Sequence, residues 1–395
     1  MIVPGPVSGL GCIGPEFSGN EASTPNFGPG GYANYARGAA AIVLKAGQLK
    51  TTHRLFTADS RLKIDLPDEA VDLVVTSPPY PLIGMWDEVF SRMNFKIKEL
   101  LLDGDAWGAF ELMHCELDKV WEEAYRLLRP GGFMCINIGD AIRTIRGKFR
   151  LYPNQARLQR KCIPLGLDPL PAIIWRKPAN SPNKFMGSGM LPAGAYVTLE
   201  HEYILIFRKE RKRQFRNKEA KSLRQASALF WEERNRFFSD IWEVQGTSQS
   251  LRSTNARKRS AAFPLDIPLR LILMFSVIGD VVLDPFMGTG TTSVAALATG
   301  RNSVGIDISA SMVEIAAEII QNSLPAVQCY SSSRIQRHLE FIHTFQEKGK
   351  KPKYLNEFYG FPVVTRQEKE LLVPFPTALT RDGQSSFVAG YSFSH

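Results

Sequence analysis

The apolar positions of this chain follow two rhythms. Short continuous runs bounded by polar residues, proline or glycine read as buried strands, and apolar residues recurring every three or four positions read as amphipathic helices. Arg54-Leu55-Phe56-Thr57-Ala58-Asp59 has the pattern of a short strand ending in an acid. Leu66 to Ala70 makes a crossover, and Val71 to Val75 is a second, buried strand. Trp107 to Leu128 has helical period, with Leu112, Leu117, Val120, Ala124 and Leu127 or Leu128 on one side, and Arg129-Pro130-Gly131-Gly132 is expected to stop it. Phe133 to Ile138, Ala172 to Trp175 and Glu202 to Phe207 predict three more strands. Lys177 to Thr198, between the last two, is too irregular for a crossover helix, so that pair is expected to run antiparallel.

In the last third, Phe263-Pro264-Leu265-Asp266-Ile267-Pro268 opens a helix through Val277, with Asp266 as its cap and Pro268 in its first turn. Val281 to Asp284 is a strand, followed by a short helix to Gly300 and a further strand from Asn302 to Asp307. Ser311 and Glu314 have capping-box spacing for the next helix. Residues 331 to 348 predict a helix with Ile335, Leu339, Ile342 and Phe345 on one face, then a basic turn from Lys348 to Lys353 and short strands in Tyr354 to His395. Residues 1 to about 40 are rich in Gly, Pro, Asn and Ser and read as an irregular arm. Alternating strands and helices of this kind indicate an α/β fold.

Composition narrows the class. The 395 residues allow one large domain with an appendage, or two domains. No apolar run is long enough to span a bilayer, and Met1 to Asn20 lacks the basic and apolar regions of a signal peptide. The five cysteines, Cys12, Cys115, Cys135, Cys162 and Cys329, form no Cys-x-x-Cys pair. A reduced, cytoplasmic protein with no cysteine-built metal site and no membrane partner is the simplest expectation. The net charge of +9 points to an anionic partner. It is concentrated: Arg208 to Ser260 holds 15 Lys and Arg against 6 Asp and Glu, an excess equal to that of the whole chain. Phe215, Phe230, Trp231, Phe237, Phe238 and Trp242 are interleaved with these charges. Such a segment is either a solvated helix with its aromatics in the core or a surface for phosphate and base contact.

Two stretches carry candidate chemistry. The first is Thr76-Ser77-Pro78-Pro79-Tyr80, at the end of the second strand. The prolines forbid continuation of the strand, because they lack a ladder N–H and fix φ. A rigid bend with a hydroxyl and an aromatic ring thus stands at a strand's carboxyl end, where open α/β sheets hold their ligands. Pro81 to Asn94, which follows, is either a flap over that site or an ordinary loop and helix. The second stretch is Asp284-Pro285-Phe286-Met287-Gly288-Thr289-Gly290-Thr291-Thr292-Ser293. Strand, acid, Gly-x-Gly, helix, strand and acid is a nucleotide-type unit, in which glycines let backbone approach a ligand at a helix N-terminus. It is no P-loop, since no Lys follows Gly290, and Ser293 stands where a dinucleotide fingerprint has its last glycine.

Together these stretches resemble the beta-type DNA amino-methyltransferases, over roughly residues 50 to 325. Ser77-Pro78-Pro79-Tyr80 resembles the catalytic motif, and its Ser form is most similar to the cytosine-N4 group; adenine-N6 enzymes more often have Asp or Asn there. Asp284-Pro285-Phe286-x-Gly288-x-Gly290, with Thr291 after it, resembles the motif that binds S-adenosylmethionine (AdoMet). The resemblance implies a seven-stranded mixed sheet of the AdoMet-dependent methyltransferase type, permuted, with the last pair of strands a hairpin. It implies that the strands near residues 72 and 281 lie side by side. It divides the chain into the arm (1–50), a catalytic half (51–208), an inserted basic recognition region (209–260), an AdoMet-binding half (261–330) and a C-terminal extension (331–395). The implied cofactor is AdoMet with no metal. Asp307 would hold its ribose, Phe263 and Pro264 match a further cofactor motif, and Asp59 would reach its adenine, unless Asp59 is a helix cap. The implied substrate is duplex DNA, contacted through Lys212, Arg213 and Arg216. A cognate restriction endonuclease is left open as a companion. Ser77 Oγ and the Pro78 carbonyl are expected to accept from the target amine, and Tyr80 to stack on a flipped base with its hydroxyl idle. None of the five cysteines follows a proline, which argues against covalent cytosine-C5 chemistry. Adenine-N6 methylation, and a non-enzymatic DNA-binding protein with a vestigial pocket, are the rival expectations.

Overall fold

The computed structural model describes residues 49–177, 193–194, 196–245 and 263–393. The expected N-terminal arm up to residue 48, with Cys12, and the end of the basic segment at 246–262 lie outside them.

Chain order begins with β1 (Lys50–Thr57) and β2 (Val71–Thr76), then α1 (Asp87–Met93), α2 (Lys96–Asp103) and α3 (Ala106–Leu127). Next come β3 (Leu128–Ile138), a hairpin of β4 (Ala141–Ile145) and β5 (Lys148–Tyr152), α4 (Asn154–Cys162), β6 (Leu167–Arg176) and β7 (His201–Lys209). The basic segment folds as α5 (Lys218–Ala226), α6 (Trp231–Phe237) and β8 (Ile241–Glu243). Then follow α7 (Asp266–Phe275), β9 (Val281–Asp284), α8 (Thr291–Ala298), β10 (Asn302–Asp307), α9 (Ala310–Gln321) and α10 (Leu324–Glu347). The chain closes with β11 (Tyr354–Leu355), β12 (Pro362–Val363), β13 (Phe375–Arg381) and β14 (Ser386–Ser392).

All seven expected strands form one mixed sheet, in the order β1-β10-β9-β2-β3-β7-β6. β2 lies beside β9, with Leu73 opposite Val282 and Val74 opposite Leu283. β6 and β7 run antiparallel, as expected. The sheet is larger than seven strands: β14 and β13 extend it beyond β1, and β8 adds to β6, giving ten among the described residues. β2 is buried along its whole length because the sheet is covered on both faces. Leu73 and Val75 belong to the apolar cluster formed with α7, α8 and α9. Val74 points the other way, into the cluster built on α1, α3 and α4.

Several local expectations are corrected. α3 does stop at Leu127, just before Arg129-Pro130-Gly131-Gly132, but the next strand starts at once at Leu128 instead of at the expected Phe133, with a register shift between Val71 and Leu73 opposite it. Asp266 is the first residue of α7, not its cap, and pairs one turn on with Arg270. Ser311 and Glu314 make no capping box, because α9 already begins at Ala310. The helix expected at 331–348 starts at Leu324, and its buried face carries Ser331, Arg334 and His338 beside Ile342, whereas Leu339 is exposed. Those polar groups are buried because each has a partner. Ser331 donates to Pro374 O, Arg334 pairs with Glu233, and His338 bonds Glu232 and Pro362 O. Among the described residues, Cys115, Cys135, Cys162 and Cys329 form no disulfide. Among the described residues no helix is long and apolar enough to cross a membrane.

Candidate active site

The four parallel strands β1, β10, β9 and β2 bring their carboxyl ends to one edge. Each ends in one of the residues singled out above. β2 leads into Ser77, β9 ends at Asp284, β10 ends at Asp307, and Asp59 follows β1, where Thr57 is opposite Asp307.

Buried hydrogen bonds join the two motifs. Thr76 Oγ1 donates to Asp284 Oδ1 at 2.6 Å, and Thr292 Oγ1 donates to Asp284 Oδ2 at 2.7 Å. The Phe286 amide also donates to Oδ1, at 3.1 Å. Asp284 is therefore an internal brace between the bend after β2 and the start of α8. Burial pushes its carboxyl up from the ordinary 3.8 to about 6, against the pull of the two threonine hydroxyls. Ser60 Oγ donates to Pro285 O at 2.7 Å, which ties the loop after β1 to the same turn.

Asp307 organises the glycine turn. Its Oδ2 accepts from the Gly288 amide at 3.0 Å and its Oδ1 from the Ser309 amide at 2.9 Å. Gly288 has φ +54, and a Cβ built there meets nothing nearer than Phe286 O at 4.0 Å. The turn thus presents bare backbone to open space. Asp59 accepts bidentate bonds from Arg61, which also reaches Glu116 at 2.6 Å. Burial would raise the Asp59 carboxyl, but the Arg61 guanidinium outweighs it and holds it low. Asp59 caps no helix among the described residues. Phe263 and Pro264 are buried ahead of α7, Phe263 in the core cluster, and Thr291 is the partly exposed first residue of α8.

At the bend itself, Ser77 is partly exposed while Pro78 and Pro79 are buried. Tyr80 departs from the expectation. It is 9% exposed, and a Cβ on Gly139 would lie 3.1 Å from its ring, so a side chain there would crowd it. Its hydroxyl is not idle. Tyr80 Oη donates to Glu202 Oε2 at 2.8 Å and lies 3.1 Å from Ser77 Oγ. Asn137 Nδ2 donates to Tyr80 Oη and to Glu202 Oε2, both at 2.7 Å, with a longer contact of 3.4 Å to Ser77 Oγ. Lys177 donates to Glu202 Oε1. Burial, then the Glu202 carboxylate, push the phenol well above the usual tyrosine range. Asn137, Glu202 and Lys177 lie outside both motifs. The available signal was polarity inside strands: Asn137 interrupts the apolar run Phe133 to Ile138, and Glu202 opens the run that ends at Phe207.

Lys212, Arg213 and Arg216 are not brought to this edge. Arg213 pairs with Asp280, just before β9, at 2.5 Å, and its guanidinium stands over Phe215. Lys212 and Arg216 line a cleft of about 510 Å³ with Arg129 and Pro130, at the start of β3. That is the amino edge of the parallel strands, about 20 Å from Ser77 at the rise of a β-strand. Arg213 is a structural ion pair there.

Known proteins bear on the use of this geometry. A family model described as DNA methylase (N6_N4_Mtase) matches residues 71–318, more than half of the chain. The chain belongs to the DNA methylase family. It is 48% identical over 341 residues to the type II methyltransferase M.MthZI of Methanothermobacter thermautotrophicus, across 86% of this chain and 95% of that one. It is 48% identical over 283 residues to M.MjaI of Methanocaldococcus jannaschii, across 69% of this chain and 92% of that one. Among solved structures it is similar to a putative DNA modification methylase of Thermus thermophilus, TTHA0409, complexed with S-adenosyl-L-methionine. That likeness has 35% identity and a TM-score of 0.54, and covers 69% of this chain and 95% of the other. The region matched by the family model contains the bend, the glycine turn and the residues of the Tyr80 network.

Proposed function

We propose that this DNA methylase transfers a methyl group from AdoMet to the exocyclic N4 amine of cytosine in duplex DNA, with the base turned out of the helix. The observation that carries the reading is Ser77, a partly exposed hydroxyl at the carboxyl end of β2, braced through Thr76 and Asp284 to the turn that presents bare backbone. An exocyclic amine delocalises its lone pair into the ring and is a poor nucleophile. Two fixed acceptors on its N–H groups hold the nitrogen nearer to tetrahedral and localise the lone pair. Ser77 Oγ and the Pro78 carbonyl have this role, and the stiff Pro78-Pro79 pair keeps the carbonyl in place. Serine in place of Asp or Asn favours cytosine as the base.

The open space over Gly288 and the adjoining carboxylate fit AdoMet. Asp307 would hold the ribose, the turn Pro285-Phe286-Gly288-Gly290-Thr291 the amino-acid end, and Asp59 the adenine side, with Phe263 and Pro264 behind them. Asp284 acts through its hydrogen bonds rather than by touching the cofactor. When bound, AdoMet would supply an electrophilic methyl group on a sulfonium; the neutral thioether leaves without acid or metal, and the methylated amine releases its surplus proton to water. DNA contacts that serve Ser77 belong to the carboxyl edge, and we assign them first to the β4–β5 hairpin, whose width suits a major groove. By the same reading, the methylated site is one that a cognate restriction endonuclease would otherwise cut.

The test is to methylate unmodified DNA, digest it to nucleosides and identify the product by mass. N4-methylcytosine is expected. N6-methyladenine overturns the choice of base, and AdoMet binding without any methylated nucleoside overturns the enzymatic reading.

A further inference from the structure

We infer that Glu202 is a positioning residue that fixes the direction of hydrogen bonding through Tyr80, so that Ser77 meets the target amine as an acceptor and not as a donor. The inference rests on the reading of Ser77 given above. It follows from counting protons in the network. An ionised carboxylate can only accept. Tyr80 must therefore point its single O–H at Glu202 Oε2, at 2.8 Å. Asn137 Nδ2 has two hydrogens, and its short contacts put them on Tyr80 Oη and on Glu202 Oε2. Asn137 is 3% exposed, and the nearness of three oxygens to Nδ2, with none bonded to Oδ1, fixes the amide's orientation. Tyr80 Oη, with its hydrogen held in the bond to Glu202, has only lone pairs for its other neighbours. The 3.1 Å contact from Ser77 is then Ser77 donating to Tyr80. A hydroxyl whose hydrogen is held inward has only lone pairs for its other neighbours. Asn137's longer contact engages one at most, and the other is free for the amine N–H.

Lys177 donates to Glu202 Oε1, so the carboxylate's other oxygen is left to accept from Tyr80 and Asn137. The polarity thus originates at a lysine, passes through a carboxylate and a phenol, and ends at a serine. A glutamine at 202 would break it. With Lys177 keeping the amide oxygen on its side, the Nε2 faces Tyr80 Oη and Asn137 Nδ2 and accepts from neither; the Asn137 bond is lost, Tyr80 can accept from Nε2 and donate to Ser77, and Ser77 would turn its hydrogen toward the amine.

Single-turnover methylation by full-length Glu202→Gln, Tyr80→Phe and Ser77→Ala, and by the Ser77→Ala/Glu202→Gln double variant, tests this, with AdoMet affinity and thermal melting measured alongside. Glu202→Gln and Tyr80→Phe are each expected to slow methylation on the order of 10- to 100-fold, the worth of one hydrogen bond to a charged group. AdoMet affinity should not change, and Glu202→Asp should recover part of the rate. Adding Glu202→Gln in the Ser77→Ala background should cost almost nothing more, because Glu202 acts through Ser77. The inference is overturned if Glu202→Gln methylates at the parent rate. It is also overturned if that change slows both backgrounds equally, or if it lowers AdoMet affinity or melting temperature in proportion to the rate, since Glu202 would then be a structural anchor. A parent rate for Ser77→Ala is a different failure, that of the role given to Ser77 itself.

Discussion

Asp307 is placed to shape the proposed cofactor site and also to serve it. It accepts from the Gly288 and Ser309 amides, so the glycine turn and the entry to α9 both depend on it. A carboxylate has about four lone-pair sites, which leaves acceptor capacity for a ribose hydroxyl. Asp307→Ala is expected to weaken AdoMet binding by about 1.5–3 kcal/mol, the cost of a hydrogen bond to a charged group. Unchanged affinity in calorimetry would remove Asp307 from the cofactor site. Asp284 sits a few residues from the same turn and behaves differently. Its carboxyl is raised in the fold, to about 6 from an ordinary 3.8. A group raised in this way contributes stability that is fully present below about 4 and lost as pH rises through about 6. Asp284→Asn removes that dependence. Between pH 4 and pH 7 the unfolding free energy of the parent should fall relative to the variant by about 2 kcal/mol. Denaturant titrations at the two pH values read the difference directly, and a constant difference would mean that the buried carboxyl is neutral or ionised throughout.

At the scale of elements, we propose that the β4–β5 hairpin, rather than the basic segment, carries the DNA contacts. The hairpin leaves β3 at the carboxyl edge and turns through Arg146 and Gly147, both with positive φ. Its foot is tied to the loop after the bend, because Asn154 Nδ2 donates to Pro81 O at 3.1 Å and to Gly139 O at 2.9 Å. Arg143 pairs with Asp87 at the start of α1, while Lys148 and Leu151 are exposed. Lys148→Ala is expected to weaken binding of a short target duplex and to reduce the logarithmic salt slope by about 0.9, one phosphate contact. Lys212→Ala with Arg216→Ala should leave that slope unchanged on the same duplex. The reverse pattern would return the DNA track to the amino edge. Charge counting could not make this distinction. It registers how many lysines and arginines a segment holds but not which edge of a sheet the segment reaches, and Arg213 is drawn inward by Asp280, 67 positions away. The motifs were legible because proline and glycine act locally. Ser77-Pro78-Pro79 must bend, and Gly288-Thr289-Gly290 must turn, in almost any context. The network around Tyr80 joins residues 57 to 122 positions apart, at Asn137 and Glu202, and no local rule couples them.

For the whole molecule, the seven strands were legible from their apolar runs, but the place of β13 and β14, near the end of the chain, in the same sheet was not. β14 pairs antiparallel with β1 from Lys50 to Arg54 and so covers what would otherwise be an open edge. Phe387, Ala389 and Tyr391 are buried there, and Tyr391 Oη donates to Leu297 O at 2.8 Å while contacting Thr51 Oγ1 at 2.9 Å. The extension also holds the basic segment. Glu368 accepts from the Trp231 amide at 2.9 Å, His338 bridges Glu232 and Pro362 O, and Arg334 makes a buried bidentate pair with Glu233. Each large apolar side chain re-exposed costs about 1.5–3 kcal/mol, and a domain has only about 5–15 kcal/mol in hand. Losing Phe387 and Tyr391, with Leu371 and Val373 that pack near Phe230, therefore consumes most of that margin. Ending the chain after Lys353 is expected to give no smaller active methylase but a protein that aggregates through the bare β1 edge or lacks a cooperative melt. Size-exclusion chromatography and thermal unfolding followed by circular dichroism would show it. A monomeric, cooperatively folded truncation that bound AdoMet like the parent would mean that the seven strands suffice and that β13 and β14 are an ornament on the edge.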